Sequence, residues 1–332
     1  MIRKLPLLLA VLACAAHAQY KGKYVGWSTG YYYGGTLSEG VFKAFTHLMN
    51  FHVTVSGNGS LGTGDLRGSD QAAFVANCHA HKVKALLSIG GEGDHPGFAA
   101  ACLNASTQTT LVKNIMDMTL KYGYDGVDLD WEVAEDPNYD NSPANVARFL
   151  AFHKQVRDSV RLHPPLMITA AITDDWYPNC SAAVCSIMDQ ANSMSYDQTA
   201  ASEWRDASIV FKLGAPKANH GIGFDMNNLA DNLAKCRLAI DSSFGGVMAW
   251  DVGKSAANAY DSIAHYVTHT PTTGVSPFRY RTARGAHPGF FTGSKTGSAM
   301  GGYSVAGRYI LKMSEGSMVL EAKSTEAGRL LP

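Results

Sequence analysis

The sequence predicts an α/β fold, a (β/α)8 TIM barrel with a short C-terminal appendage. Three observations predict it. Eight short β-favouring runs alternate with amphipathic stretches of helical period. No G-x-G-x-x-G turn follows the first run, which the alternative, a doubly wound open sheet, would usually show. One of the eight runs carries three carboxylates on one face and apolar residues on the other, as expected of a strand packed on helices on one side and facing a polar hollow on the other.

The strand candidates are residues 23–28, 47–53, 83–89, 126–132, 166–172, 191–196, 220–224 and 245–250. The clearest helical stretches are 71–81, 109–121, 142–162, 227–240 and 255–267. The chain has 332 residues, 46% of them hydrophobic, enough for one large core. Lys plus Arg and Asp plus Glu are equal at 28 each, so no polyanionic partner is implied and nothing points to nucleic acid.

Residues 1–18 read as an export signal. Arg3 and Lys4 precede the short apolar run 5–13, and Ala16-His17-Ala18 fits a small-residue cleavage site. The run is too short to span a bilayer, so the expectation is a secreted, extracellular protein with no membrane partner, acting as a monomer. Export permits disulfides, and pairs Cys78–Cys102 and Cys180–Cys185 are conceivable, leaving Cys236 over. Their scatter argues against zinc, and no cofactor or metal is expected. The barrel is expected over 19–269. Residues 270–332 are rich in Gly, Ser and Thr, basic, and without Asp, and read as an appendage or tail with short strands at 303–313 and 318–322. Phe290, Phe291 and Tyr303 there are candidates for packing or for sugar contact.

The most informative segment is Asp125-Gly126-Val127-Asp128-Leu129-Asp130-Trp131-Glu132. On a strand Asp128, Asp130 and Glu132 share one face, and Val127, Leu129 and Trp131 the other. A solvated edge strand would not need that apolar face. A calcium loop would need turn-forming Gly inside the ligand run, and none follows Gly126. A catalytic acid with helper carboxylates remains the favoured reading. In barrels of this class chemistry sits at the C-terminal ends of the strands, where Glu132 falls. Gly90 and Gly91 close the third strand and permit close backbone approach, to a neighbouring strand or to a ligand. Asp125 has the opposite parity and reads as structural.

These residues resemble those of glycoside hydrolase family 18, the chitinase family. Asp125 to Glu132 is similar to its D-G-x-D-x-D-x-E signature. Ser88-Ile89-Gly90-Gly91 resembles its S-x-G-G, Met194-Ser195-Tyr196-Asp197 its M-x-Y-D, and residues 245–250 its final-strand block ending in Trp250. The four blocks follow the family's order, and the resemblance covers roughly residues 20–267. It implies Glu132 as the acid, with Asp130 and Asp128 as a coupled carboxylate pair behind it. It implies Tyr196 as a hydrogen-bond partner of the substrate acetamido oxygen, Trp250 as an apolar floor, and Met194 and Asp197 lining the site. The substrate implied is chitin or another N-acetylglucosamine-containing oligosaccharide, cleaved with the substrate's own acetamido oxygen as nucleophile. Asp130 and Glu132 project to one side of the sugar, which disfavours a carboxylate nucleophile. Only about twenty residues separate the seventh strand from the eighth, so the groove is expected to be open, suiting endo action. An endo-β-N-acetylglucosaminidase and a non-catalytic lectin are the competing functions. Trp176, Tyr177 and Trp204 are further candidates for stacking sugars along the groove.

Overall fold

The computed structural model describes residues 27–253, except 36, 64–65, 67–70, 134–141 and 227–228, together with strands at 309–314 and 317–322. The export signal, the helix expected at 255–267 and the aromatics Phe290, Phe291 and Tyr303 lie outside the described residues. The chain divides into two compact units, Met1–Arg279 and Tyr280–Pro332.

In the first unit eight parallel strands close into a barrel in sequence order. They are β1 (Trp27–Tyr32), β2 (His47–Val53), β3 (Lys84–Gly90), β4 (Gly126–Asp130), β5 (Met167–Ile172), β6 (Gln190–Ser193), β7 (His220–Asp225) and β8 (Gly246–Trp250). Closure is made by β8 on β1, with Thr29 opposite Met248 and Gly30 opposite Ala249. Helices α1 (Glu39–Ala44), α2 (Gln71–Ala80), α3 (His95–Ala101), α4 (Ala105–Tyr122), α5 (Pro143–Val160), α6 (Pro178–Cys185), α7 (Ala200–Lys212) and α8 (Leu229–Asp241) lie between the strands in sequence. The predicted barrel is therefore present.

The helix ends follow local chemistry. Asn104 caps α4 by accepting from the Ser106 N–H at 2.8 Å, and Gly123 ends it at φ 74°. Ser142 caps α5, with Pro143 in the first turn where its missing N–H costs nothing. The sequence pattern passed over α1, α3, α6 and α7. The first three are short, and Pro or Gly early in α3 and α6 reads as loop. In α7 the buried face mixes Glu203 and Asp206 with Ala207 and Val210.

Two apolar regions flank the barrel wall. Outside it, Val127, Leu129 and Trp131 pack beneath the helices; the Trp131 ring stacks on Phe98 at 5.2 Å and meets Phe149 and Phe152. Inside it, Tyr31, Met49, Phe51, Leu86 and Met248 form a separate cluster, with Tyr33, Met194, Tyr196 and Trp250 at its partly buried rim.

Three strand ends differ from expectation by more than one residue. The first strand continues to Tyr32, four residues past the end expected at 28, because Gly30 does not break it. A Cβ there would lie 2.5 Å from Val252, so glycine is what lets β1 pass. The tyrosines after it then alternate: Tyr31 points into the lumen, while Tyr32 stacks on Phe74 outside. The fourth strand ends at Asp130, the last residue paired with β3, so Glu132 stands two residues beyond the ladder. The sixth ends at Ser193, placing Met194–Asp197 in the loop above.

The disulfides expected for Cys78–Cys102 and Cys180–Cys185 are absent, and all five described cysteines are buried free thiols. Cys180 and Cys185 both lie in α6. Five helical residues rise about 7.5 Å and turn the side chains apart, beyond the roughly 7 Å Cα limit for a bridge. In the second unit β9 (Tyr309–Ser314) and β10 (Ser317–Ala322) form an antiparallel hairpin, close to the short strands expected there.

Trp131 is 3% exposed among four aromatic neighbours. Trp131→Ala is expected to destabilise the barrel by about 3–5 kcal/mol, read from the urea midpoint at unchanged slope.

Candidate active site

Asp128 is fully buried in the lumen. Its carboxylate accepts hydrogen bonds from Tyr31 on β1 at 2.8 Å, Ser88 on β3 at 3.2 Å and Thr169 on β5. Burial dominates over these donors and holds its carboxyl above the usual range. Asp130, 4% exposed, lies one alternate residue higher, and half-buried Glu132 two further on. The row thus rises from a dry interior to an open mouth.

That mouth is a cavity of about 330 Å³ lined by Tyr33, Phe51, His52, Glu92, Asp130, Glu132, Met194, Tyr196 and Trp250. Trp250 ends β8 and forms its aromatic wall, stacking on Tyr33 at 5.7 Å and meeting the Phe51 ring edge-on at 4.8 Å. Tyr196 is half-buried on the opposite loop. Burial, then the negative charges of Asp130, Glu132 and Asp128, push its hydroxyl well above the usual range, so it remains a neutral donor. Burial and the charges of Asp128 and Asp130 do the same for Tyr31. Chemically the arrangement offers a carboxyl at a wet rim, two more behind it, a phenol donor, and aromatic faces suited to the C–H faces of a sugar.

The sequence matches the family model described as Glycosyl hydrolases family 18 over residues 23–228, more than half of the chain. The chain belongs to glycosyl hydrolase family 18. Over 189 residues it is 29% identical to a chitinase-like effector of Moniliophthora perniciosa, spanning 53% of this chain and 42% of that protein. The chain thus spans less than half the length of that curated relative. Among solved structures it resembles a chitinase from Bacteroides thetaiotaomicron, with TM-score 0.62 and 18% identity over 74% of this chain and 97% of that one. It also resembles a chitinase-like agglutinin from Robinia pseudoacacia, with TM-score 0.61 and 18% identity over 72% and 98%. At those identities the structural likeness concerns the fold.

Within this family 18 barrel the cavity gathers Asp130, Glu132, Met194, Tyr196 and Trp250, with Asp128 below. Asp197, Gly90 and Gly91 are not among the lining residues. Asp197 is exposed on the loop. Gly90, at φ +88°, lies where a Cβ would sit 2.3 Å from Phe98 and 2.6 Å from the Asp130 carbonyl. Its close approach is to the neighbouring strand, which brings the acidic row to its height. Asp125 accepts from the Ala85 N–H at 2.9 Å and from Lys84 and His79 at 2.8 Å, tying β4 to β3 at its base. Burial opposes these bonds, yet they hold its carboxyl below the usual range. Trp204 is on α7, stacked on Phe244 under Lys217, and is a packing residue rather than a groove residue. Trp176 is 62% exposed in the loop after β5, and Tyr177 is the residue just before α6.

Sequence reasoning missed Tyr33, Phe51, His52 and Glu92 at the cavity. Tyr33 was within reach of the strand alternation once β1 is placed correctly. Phe51 and His52 lie near the end of β2, where its pairing with β3 shifts register between Asn50 and Val53, and Glu92 lies two residues past β3, where period-two reasoning stops. It also missed a buried trio away from the cavity lining: Asp174, Glu203 and His220, each at most 3% exposed. One ligand-type atom from each lies within 4.8 Å of the others, a spacing that a cation could use. Yet His220 Nε2 already meets Asp174 at 2.6 Å, an ion pair that a proton satisfies. Burial opposes the His220 charge, but Asp174, and Glu203 further off, raise its pKa above the ordinary value. Burial first, then Asp174, push Glu203 up to about 7, against the pull of His220 and Lys235.

The sign of the pH effect follows. A folded-state pKa raised above the unfolded one gives stability that is complete at low pH and fades as pH rises through the folded value. For Glu203 the window runs from its ordinary value, about 4.3, to about 7. Glu203→Gln is therefore expected to raise Tm relative to the parent at pH 8 and to leave the difference near zero at pH 4. Thermal unfolding across that range checks it.

Proposed function

We propose that this chain is a secreted, monomeric glycosidase that hydrolyses β-1,4-linked N-acetylglucosamine polymers, with chitin as the substrate, by endo attack and with retention of anomeric configuration. The observation that carries the proposal is the row Asp128, Asp130, Glu132 rising through the lumen into a cavity walled by Trp250 and Tyr33 and faced by Tyr196. The exported form is taken as the barrel of residues 19–269 with 270–332 as an appendage.

Glu132 stands at the wet rim and delivers the proton to the leaving glycosidic oxygen. Asp130, beside it on the same face, orients the acetamido N–H and opposes the positive charge that grows at the anomeric carbon. Asp128 supports Asp130 from below. Burial raises its pKa against the pull of three donors, which makes it a place where a proton is shared within the row rather than lost to water. The acetamido oxygen of the bound sugar attacks its own anomeric carbon as the glycosidic bond breaks, giving an oxazolinium ion. The neutral phenol of Tyr196 donates to that oxygen and holds it in line. Trp250 forms the apolar floor. Water, deprotonated by Glu132, then adds to the anomeric carbon and reopens the ring. The described chain between β7 and β8 is α8, with no added layer over the mouth, which favours an open groove and internal cleavage.

A second reading has its own support. The similarity to proteins named a chitinase-like effector and a chitinase-like agglutinin favours a sugar-binding role without turnover. The presence of Glu132 with both aspartates ranks hydrolysis above it. An endo-β-N-acetylglucosaminidase acting on glycans or peptidoglycan would use the same site, and product analysis on chitin, peptidoglycan and N-glycans side by side separates the two.

Glu132→Gln is expected to lower kcat on N-acetylated chitin oligomers by about 10²- to 10⁴-fold while calorimetric binding persists. Near-parental turnover by that variant would remove Glu132 from the acid role. Fully deacetylated oligomers, which lack the internal nucleophile, are expected to resist cleavage; efficient cleavage would contradict substrate-assisted attack.

A further inference from the structure

The loop that brings Met194 and Tyr196 to the cavity leaves the barrel early. β6 has four residues, and its pairing with β7 ends at Ser193 opposite Ile222. Beyond that point Ser195 and Tyr196 are not paired with β7, though the Gln198 N–H bonds the Ser195 carbonyl at 3.1 Å. A side chain from another element bonds the carbonyls of Ser195, Tyr196 and Gly223. Lys235, in the middle of α8 and with no exposed surface, places its Nζ 2.6 Å from the Ser195 oxygen, 3.1 Å from that of Gly223 and 3.3 Å from that of Tyr196. An ammonium has three N–H donors, and here there is one carbonyl for each.

Burying an ammonium is costly, and an apolar residue would ordinarily serve a helix packed on a barrel better. Its negative partners are distant or shared: Asp231, one turn earlier on α8, is 3.7 Å away, and Glu203 on α7 and Asp197 on the loop itself act on it as charges. The short contacts are to the loop backbone. Gly223 contributes to the same junction, since a Cβ there would meet the Ser193 carbonyl at 2.1 Å and the Ser195 nitrogen at 3.2 Å. The Ser195 hydroxyl also donates to the Gly223 carbonyl at 3.2 Å. The residues just after β6 are thus pressed onto β7 and pinned from behind by one cation.

We propose that Lys235 is a positioning residue for Tyr196. It replaces the missing ladder bonds at the end of β6 and fixes the backbone from which the Tyr196 phenol reaches the reacting acetamido group. It touches no substrate. The proposal rests on the hydrolytic reading above for its kinetic consequence, but its structural half stands apart from activity, so the test has two arms.

In the first arm, hydrogen exchange of peptides spanning residues 193–199 is compared between the parent and Lys235→Met. Faster exchange confined to that loop and the adjoining end of β7 is expected. Unchanged exchange there, or acceleration spread over the whole barrel, overturns the clamp whatever the protein catalyses. In the second arm, Lys235→Met is combined with Tyr196→Phe and, separately, with Trp250→Phe, and kcat and KM are measured on N-acetylated oligomers. Lys235→Met alone is expected to lower kcat on the order of 10- to 100-fold, with KM changed much less. Its effect is expected to vanish largely when Tyr196→Phe is already present and to persist beside Trp250→Phe. Additive losses with Tyr196→Phe, or a loss of Tm with kcat intact, would reduce Lys235 to a purely structural role. If Lys235→Met does not fold, Lys235→Gln, which keeps two donors, is read in both arms with smaller effects of the same sign. If the parent shows no turnover on any substrate while the first arm succeeds, the hydrolytic reading fails and the clamp does not.

Discussion

The site depends on a carboxylate kept out of water. Asp128 lies at the centre of the barrel, where donors from β1, β3 and β5 converge on it. A lone buried carboxylate would be intolerable without such partners. With them it links three strands through the lumen and sets the height at which the next alternate residues, Asp130 and Glu132, emerge. Strand pairing does the rest: Asp130 is opposite Gly90, and the absence of a side chain at Gly90 lets the two strands meet there. The arrangement also divides the acidic row by environment. Its base is dry and its tip is wet, which is what allows neighbouring carboxyls to take different protonation states.

Much of this was legible in the chain. The period-two pattern of residues 127–132 separated the face that packs on Phe98 and Phe149 from the face that enters the lumen. The alternation of strands and helices gave the barrel. What was not legible has physical causes. Gly30 resembles a breaker until β8 and Val252 are seen beside it, so the first strand was ended too early and Tyr33 was not connected with Trp250. Glu92 lies two residues past β3, where no periodicity assigns a direction, and His52 stands in β2 where the pairing with β3 shifts register. α7 buries Glu203 and Asp206 beside Ala207 and Val210, and charged residues on an inner face are not expected from pattern alone. The expected disulfides failed because cysteine counting has no information about geometry; Cys180 and Cys185 turned out to share one short helix.

The hidden acidity of α7 belongs with the basic interior of α8. Together with Asp174 and His220, Glu203 and Lys235 form a buried charged layer between the barrel and its helices on the side of β6 and β7. On the opposite side, around β3 and β4, the corresponding space is filled by stacked aromatics. The barrel thus holds its acidic row from an apolar side and its phenol-bearing loop from a polar one. A short strand that must release its chain early into a functional loop needs directional contacts, and charged hydrogen bonds supply direction where apolar packing does not.

The central claim is that the acidic row works on a sugar that supplies its own nucleophile, and the stereochemistry of the first product tests it most directly. Proton NMR of an N-acetylated chitin oligomer, recorded in the first minutes of hydrolysis before mutarotation, is predicted to show the new reducing end as the β anomer. Initial appearance of the α anomer, which requires direct attack by water, would contradict the account.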